Sequence, residues 1–282
     1  MHQQECKMQH KRTLAFIGAG NMSRSIIAGL IQAGYPAGRI IAANPSRPKL
    51  DELADQFGIR ITQNNAEAAR EADVIVLAVK PQLMAAMLEA LVAELGSLAG
   101  KLLISIAAGI KVERLQEMAG GHSRIIRTMP NTPSLLGLGM TGLYAPSGIE
   151  QADRDFAEQM MQAVGKTLWV AQESGINGVI AASGSAPAYF FLFMQGIAEE
   201  AEAMGFSPEQ ARLLVQQTAL GAAAMVEQNP ELSLQALREQ VTSKGGTTAE
   251  AVKTFQEQGL KPLTSRAMQA AVTRAGEMET LF

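Results

Sequence analysis

Short apolar runs and amphipathic stretches alternate from Leu14 to Val170. The runs Leu14–Ile17, Ile40–Ala43, Ile59–Thr62, Val74–Val79, Leu102–Ala107 and Arg124–Thr128 are rich in Val, Ile and Leu with little polar alternation. Strands covered on both faces read this way. Between the first two, Met22, Ile26, Ile27, Leu30 and Ile31 share one helical face, closed by Gly34 and Pro36. Similar spacing predicts helices over Ser46–Phe57, Ala66–Glu71, Pro81–Leu95 and Val112–Met118. This order predicts right-handed crossovers and a doubly wound parallel sheet, with ligands beyond the carboxyl ends of its strands. A β segment over Met140–Tyr144, a helix over Asp153–Val164 and a strand over Leu168–Val170 would complete the sheet, with Trp169 in the core.

From Glu173 the pattern becomes purely helical, through Ile176–Met204, Pro208–Gln228, Leu234–Gln240, Thr248–Gln258 and Leu260–Thr280. Faces such as Ala219–Met225 allow close helix approach, and so small a region with so many apolar faces is expected to share its core with a second subunit. The predicted organisation is therefore a disordered leader at 1–12, with Met8 as an alternative start, an α/β Rossmann-type dinucleotide-binding domain at 13–172 and an all-α helical domain at 173–282.

Composition narrows the function. The 282 residues are 47% apolar and 18% charged with net charge −3, which gives no electrostatic case for nucleic acid or an anionic membrane. No run approaches the ~20 uninterrupted apolar residues of a membrane span, and the leader lacks a signal-peptide core, so a cytoplasmic location is expected. The single cysteine, Cys6, excludes an internal disulfide and a thiolate cluster, and no metal site is expected.

The first chemical feature is Gly18-Ala19-Gly20-Asn21-Met22-Ser23, directly after the first strand. Gly18 permits a tight turn, Gly20 lets backbone approach a pyrophosphate, and the following helix offers free N–H groups to the anion. Ser23 at the third small position still allows close packing, and its hydroxyl is a candidate phosphate donor. After the second strand comes Asn44-Pro-Ser46-Arg47-Pro-Lys49, with no acid where an NAD enzyme would hold the ribose hydroxyls. These groups suit a 2′-phosphate, so NADPH is favoured over NADH, the alternative being a solvated basic turn. Ala78-Val79-Lys80-Pro81 and Ile106-Ala107-Ala108, at the fourth and fifth strand ends, leave room for a flat nicotinamide-ribose. Past the sixth strand, Met129-Pro-Asn131-Thr-Pro133 is either a substrate wall or a structural turn, and Ser183-Gly-Ser-Ala186-Pro-Ala-Tyr189 either a helix kink or a wall facing cofactor. The second feature, Val241-Thr-Ser243-Lys244-Gly245-Gly246-Thr247-Thr248-Ala-Glu250, reads as a glycine-rich loop and a Thr247/Glu250 capping box opening a helix. Its hydroxyls and N–H groups either receive a small carboxylate or merely start the helix.

Taken in order, these motifs closely resemble the pyrroline-5-carboxylate reductase family from Leu14 to the C-terminus. The resemblance implies NAD(P)H-dependent reduction of 1-pyrroline-5-carboxylate to L-proline, by a Rossmann domain joined to a helical dimerisation domain, in interlocked homodimers that often assemble into a decameric ring. Carried over by motif, Gly18 to Ser23, Asn44, Asn65, Ala78 to Pro81 and Ile106 to Ala108 would touch cofactor. Ser243, Gly246, Thr247 and Thr248 would hold substrate. Three positions depart from the family pattern: Ala186 for Gly, Lys244 for Pro and Asn177 for Asp. A protonated cyclic imine is already electrophilic, so hydride transfer needs position more than a strong acid, and Thr248 is the expected catalytic residue, hydrogen-bonded at the ring nitrogen. His2 and His10 lie in the leader and His122 in a loop expected to be exposed. The rival readings are a β-hydroxyacid dehydrogenase, which would need a helical lysine that Lys166, Lys244 and Lys253 do not supply in a Gly-x-x-Gly-x-x-x-Lys setting, and a non-catalytic NADP-binding sensor.

Overall fold

The computed structural model describes residues 12–282. The expected leader, with Cys6, Met8, His2 and His10, lies outside them except for Arg12, which is held in place rather than free. Contacts divide the chain into two compact units, one running to Ser185 and taking in Ala271–Phe282, the other Ala186–Ala270. The sequence boundary at 172/173 differs from this because residues 173–185 and the last twelve residues bond to the sheet.

The first unit is built on an eight-stranded sheet of order β3-β2-β1-β4-β5-β6-β7-β8. Its strands are β1 (Leu14–Ile17), β2 (Ile40–Ala43), β3 (Arg60–Thr62), β4 (Val74–Leu77), β5 (Leu102–Ser105), β6 (Ile125–Met129), β7 (Gly139–Tyr144) and β8 (Gly165–Trp169). Parallel pairing runs from β3 to β6 through α1 (Asn21–Gln32), α2 (Arg47–Phe57), α3 (Asn65–Glu71), α4 (Pro81–Leu95) and α5 (Val112–Met118) as crossovers. The absence of polar alternation is explained by the two faces. Leu14, Phe16, Val74 and Val76 belong to one buried cluster, and Ala15, Ile17, Ile75 and Leu77 to another on the opposite face. The Thr132–Leu136 loop is too short for a crossover, so β7 runs antiparallel to β6. Helix α6 (Gln151–Gln162) restores a parallel β8, whose half-exposed pattern marks an edge. Trp169 lies against the core, with the Arg154 guanidinium 4.5 Å from its ring centre.

A buried carboxylate holds the N-terminal end. Asp153, in the first turn of α6, is fully buried and accepts from Arg124 through both oxygens and from Arg12 Nη1 at 2.8 Å. The Arg12 guanidinium also lies 4.8 Å from the Phe156 ring centre. Nearby, His122 is half-buried rather than exposed, its Nε2 bonded to the Lys101 carbonyl at 2.9 Å, and burial lowers its pKa.

The sequence's single helix over Ile176–Met204 is α7 (Gly175–Val179), a π-helical turn at Ile180–Gly184 and α8 (Ala186–Ala203). By length and composition alone the helical run Gly175–Ala203 is long and apolar enough to cross a membrane, with mean hydropathy 1.3, although it is not an uninterrupted apolar run. The second unit holds α8, α9 (Pro208–Gln228), α10 (Leu234–Gln240), α11 (Thr247–Glu257) and the start of α12 (Leu260–Met278). Phe193 meets Phe255 at 5.7 Å between ring centres, yet Phe190, Phe191 and Leu192 stay exposed. Apolar surface of this extent marks an interaction face.

Burial pushes the Asp153 carboxyl up, but the hydrogen bonds and charges of Arg124 and Arg12 outweigh it and hold it below its ordinary value of 3.8. A carboxylate with depressed pKa stabilises the fold above its unfolded value and loses that contribution as pH falls through the folded one. Asp153→Asn should therefore cost on the order of 3 kcal/mol at pH 7 in chemical denaturation, and the difference from wild type should shrink below about pH 4. An equal deficit at pH 7 and pH 3 would contradict this.

Candidate functional site

The carboxyl ends of β2, β1, β4 and β5 lie side by side, and the main chain continues to bond beyond the strands. Gly18 N–H donates to Ala43 O at 2.8 Å, Ala78 N–H to Ile17 O at 3.0 Å and Ile106 N–H to Leu77 O at 3.2 Å. The residues expected at this edge, Gly18 to Ser23, Asn44, Ala78 to Pro81 and Ile106 to Ala108, are thus brought onto adjacent turns. Two strands end earlier than the pattern suggested, leaving Ala78, Val79, Ile106 and Ala107 in those turns.

Gly18 has φ +111°, and a Cβ there would meet Ala78 O at 2.6 Å, so backbone packing leaves only glycine. Gly20 is exposed, and a Cβ there would meet nothing within 4 Å. Gly20 is also the N-cap of α1, with no side chain capping the first turn. Free N–H groups at the start of a twelve-residue helix, beside backbone that can be approached closely, fit a dinucleotide pyrophosphate. Ser23, a candidate phosphate donor, has its hydroxyl turned to the backbone here. It is buried, and its hydroxyl donates to Gly18 O at 2.6 Å, bracing the turn from behind.

Asn44 likewise braces: its Oδ1 accepts from Ala19 N–H at 3.3 Å and its Nδ2 donates to Ser46 O at 3.2 Å. Ser46 caps α2 without a side-chain bond, and the exposed Arg47 pairs with Asp51 at 2.7 Å, one helical turn on. Lys49 is exposed beside them. Asn65 opens α3, capped by Asn64, and lines a groove of about 290 Å³ with Gln63, Met87 and Leu91. Lys80 caps α4 and Pro81 begins it. Asn131 and Ser183 are structural partners: Asn131 Nδ2 donates to Ser183 O and Oγ and its Oδ1 accepts from Met140 N–H at 2.9 Å. The small-residue run begins in the π-helical turn, which ends at Gly184, and continues into α8 from Ala186.

Ser243, Gly246, Thr247 and Thr248 cluster in the second unit. Gly245, at φ +73°, turns the chain, Gly246 N–H donates to Ser243 O at 3.0 Å, and α11 begins at Thr247. The predicted capping box does not form, because Gly246 is the N-cap and Thr247 already helical. The box is found instead at Ser207 and Gln210 of α9. A Cβ on Gly246 would meet Ser243 Oγ at 2.6 Å, so glycine lets that hydroxyl sit against the helix start. Ser243, Thr247 and Thr248 are exposed, as is Lys244, while Ala186 is buried. Uncapped N–H groups with hydroxyls beside them have the chemistry that binding a small carboxylate requires.

Two family models match the chain, one described as NADP oxidoreductase coenzyme F420-dependent over residues 13–109 and the other as pyrroline-5-carboxylate reductase dimerisation over residues 173–278. A pyrroline-5-carboxylate reductase of Vibrio alginolyticus is 58% identical, across 98% of this chain and all of that one. The chain belongs to the pyrroline-5-carboxylate reductase family. A solved pyrroline-5-carboxylate reductase from Coxiella burnetii is 43% identical with TM-score 0.90, over 95% of this chain and 98% of that one. The Plasmodium falciparum enzyme, solved with NADP bound, is 28% identical with TM-score 0.83, over 96% and 99%.

Within this reductase framework the sequence reading overlooked Arg127, Glu173 and Glu279, a charge cluster around a buried arginine that reaches Lys111 and Val112 at the start of α5. Its signal was an arginine in the middle of the apolar run Ile125–Met129. Among the described residues no group of three or more metal-ligating side chains is assembled.

Glycines 18 and 20 separate structure from binding. Gly18→Ala should lower the melting temperature and abolish NADPH binding. Gly20→Ala should melt like wild type yet bind NADPH about tenfold or more weakly, because the methyl stands where the phosphates must come. Fluorescence titration of NADPH beside thermal unfolding checks both, and undiminished binding by folded Gly20→Ala would rule the turn out as the cradle.

Proposed function

We infer that this chain reduces 1-pyrroline-5-carboxylate to L-proline, the last step of proline biosynthesis, using NADPH. The observation that carries this reading is the glycine-capped start of α11, with Ser243, Thr247 and Thr248 around it, in a chain whose first unit carries the dinucleotide turn. When bound, NADPH supplies the hydride. Gly18 to Met22 hold its pyrophosphate, with Ser23 and Asn44 positioning that turn, and Ser46 and Arg47 take the 2′-phosphate. Asn65, Ala78 to Pro81 and Ile106 to Ala108 complete the cofactor contacts. Ser243, Gly246 and Thr247 fix the substrate carboxylate at the start of α11. Thr248 hydrogen-bonds at the ring nitrogen, steadying the imine as it gains hydride at carbon and becomes an amine.

The dimerisation region, 173–278, covers the exposed apolar face of α8. We take that face to be covered by a second copy of the chain rather than by lipid, in a homodimer that assembles further to a decamer, and we take the protein to be cytoplasmic. Neither rival reading gains support. Lys253 is exposed and paired with Glu257, and no observation favours a non-catalytic sensor.

The direct test is oxidation of NADPH by the purified chain on addition of pyrroline-5-carboxylate; no turnover would reject the reading. Thr248→Ala should lower kcat with NADPH affinity unchanged, since the lost bond is strongest in the transition state. Ser243→Ala should raise KM for the imine by about tenfold, the worth of one hydrogen bond to a carboxylate. Full activity of both folded variants would move the substrate site elsewhere. At the other end of the chemistry, Arg47→Ala should weaken NADPH by about tenfold or more and leave NADH unaffected. Equal losses for both cofactors would assign Arg47 to helix charge balance with Asp51.

A further inference from the structure

Arg127 sits mid-strand in β6 and heads the fully buried side chains by volume. Its Nη1 donates to Oε1 of Glu173 and Oε1 of Glu279, both at 2.9 Å. Each carboxylate reaches further. Glu173 Oε1 also accepts the backbone N–H of Val112, the first residue of α5, at 2.8 Å. Glu279 Oε2 lies 3.7 Å from Lys111 Nζ and accepts from Asn177 Nδ2 at 3.4 Å. Next to Glu279, Met278 covers Gly109, where a Cβ would meet the Met278 Cβ at 3.1 Å.

These contacts converge on one segment, the turn between Ser105 and Val112. Its near end is fixed by the sheet, through Ile106 N–H to Leu77 O and Thr128 Oγ1 to Ser105 O at 2.9 Å. Its far end has no strand beside it and is held by the acidic pair and Met278. A buried ion pair returns little net stability, because desolvation offsets much of the attraction. What it does supply is directional bonding, and here two carboxylates anchored on one guanidinium each hold a residue at the start of α5.

We propose that the Arg127–Glu173–Glu279 cluster positions the cofactor turn, setting Ile106–Ala108 where the nicotinamide-ribose of NADPH lies. The three are positioning residues for hydride transfer, acting through the turn and touching neither reactant. Loss of a member lets the turn drift, and displacements of about 1 Å in a reacting geometry are costly in rate. This rests on the reading of Ile106–Ala108 as cofactor contacts.

The test is Glu279→Gln, which keeps the side-chain shape and leaves Arg127 paired with Glu173. NADPH binding to the substrate-free enzyme is followed by nicotinamide fluorescence, with thermal unfolding and steady-state kinetics on the same preparation. The expected result is an NADPH Kd and KM raised about tenfold and a lowered kcat, with KM for pyrroline-5-carboxylate within about twofold of wild type at a temperature where both proteins are folded. Glu279→Asp should recover part of the cofactor affinity, which a purely steric filler would not. Unchanged NADPH Kd in folded Glu279→Gln, or equal losses for cofactor and imine, would overturn the proposal. Should Glu279→Gln not fold, Met278→Ala carries the same test without touching a charge: a cofactor-selective loss supports the positioning role and unchanged affinity overturns it. A wild-type chain that failed to bind NADPH would instead remove the cofactor reading, and the proposal with it.

Discussion

A parallel sheet buried on both faces must satisfy its backbone between strands and return each connection over a face, and the rest of this chain follows from that constraint. Every crossover from β1 to β6 brings the chain back to the same starting edge, so all the carboxyl-end turns lie along the opposite one. The inter-strand ladder does not stop with the strands. It runs one residue on at Gly18, Ala78 and Ile106, which ties the near end of each turn to the sheet. At the centre, where β1 lies between β2 and β4, Gly18 comes so close to Ala78 O that no side chain fits. The site proposed for the dinucleotide is thus a preformed backbone surface.

Charge is used sparingly inside the first unit, and two clusters of it tie distant segments together. Asp153 gathers Arg12 and Arg124 at one end of the sheet, and Arg127 gathers Glu173 and Glu279. In each, one ion links segments more than a hundred residues apart, such as Arg12 with Asp153 and Arg127 with Glu279. An apolar contact could bury as much area, but it would not set the angle at which the C-terminal residues lie on the turn before α5. Asn177 belongs to this balance. Its amide donates to Glu279, which a carboxylate could not do without a proton, so Asn177 adds no third acid to the two that face Arg127 and Lys111.

The strands of the first unit were legible because burial on both faces writes an uninterrupted apolar run, and the helices because theirs writes a stripe. What the pattern could not carry was direction or long-range pairing. The antiparallel β7 follows from the shortness of the connection before it, and β8 alternates because it lies at an edge. The glycine turn and the glycine-opened start of α11 were legible as local structure since glycine there has a backbone reason. The roles of Ser23 and Asn44 were not. A small polar residue beside a phosphate turn reads the same whether its hydroxyl faces ligand or, as here for Ser23, the carbonyl behind it. Arg127 was visible as an anomaly, but its partners lie 46 and 152 residues away, beyond any local spacing.

The two proposed binding features use one device. Most helices with a defined N-cap begin on a polar side chain, and Asn64, Ser207 and Ser233 close their first turns with hydrogen bonds. Helices α1 and α11 begin on glycine, at φ −84° and ψ 178° for Gly20 and φ −83° and ψ 167° for Gly246, and neither has a side-chain cap. Serine, asparagine or aspartate would serve a helix start better in isolation, since a cap is worth about 1 kcal/mol. Glycine gives up little of that stability, holds the same extended conformation and leaves the N–H groups open to an anion. A capping side chain at position 20 or 246 would occupy the donors that the phosphate or the carboxylate needs. Helices α2, α4, α5, α6 and α7 also lack a side-chain cap, so what sets α1 and α11 apart among the described helices with a defined N-cap is the glycine itself, which keeps the backbone open to the two anions proposed to bind there.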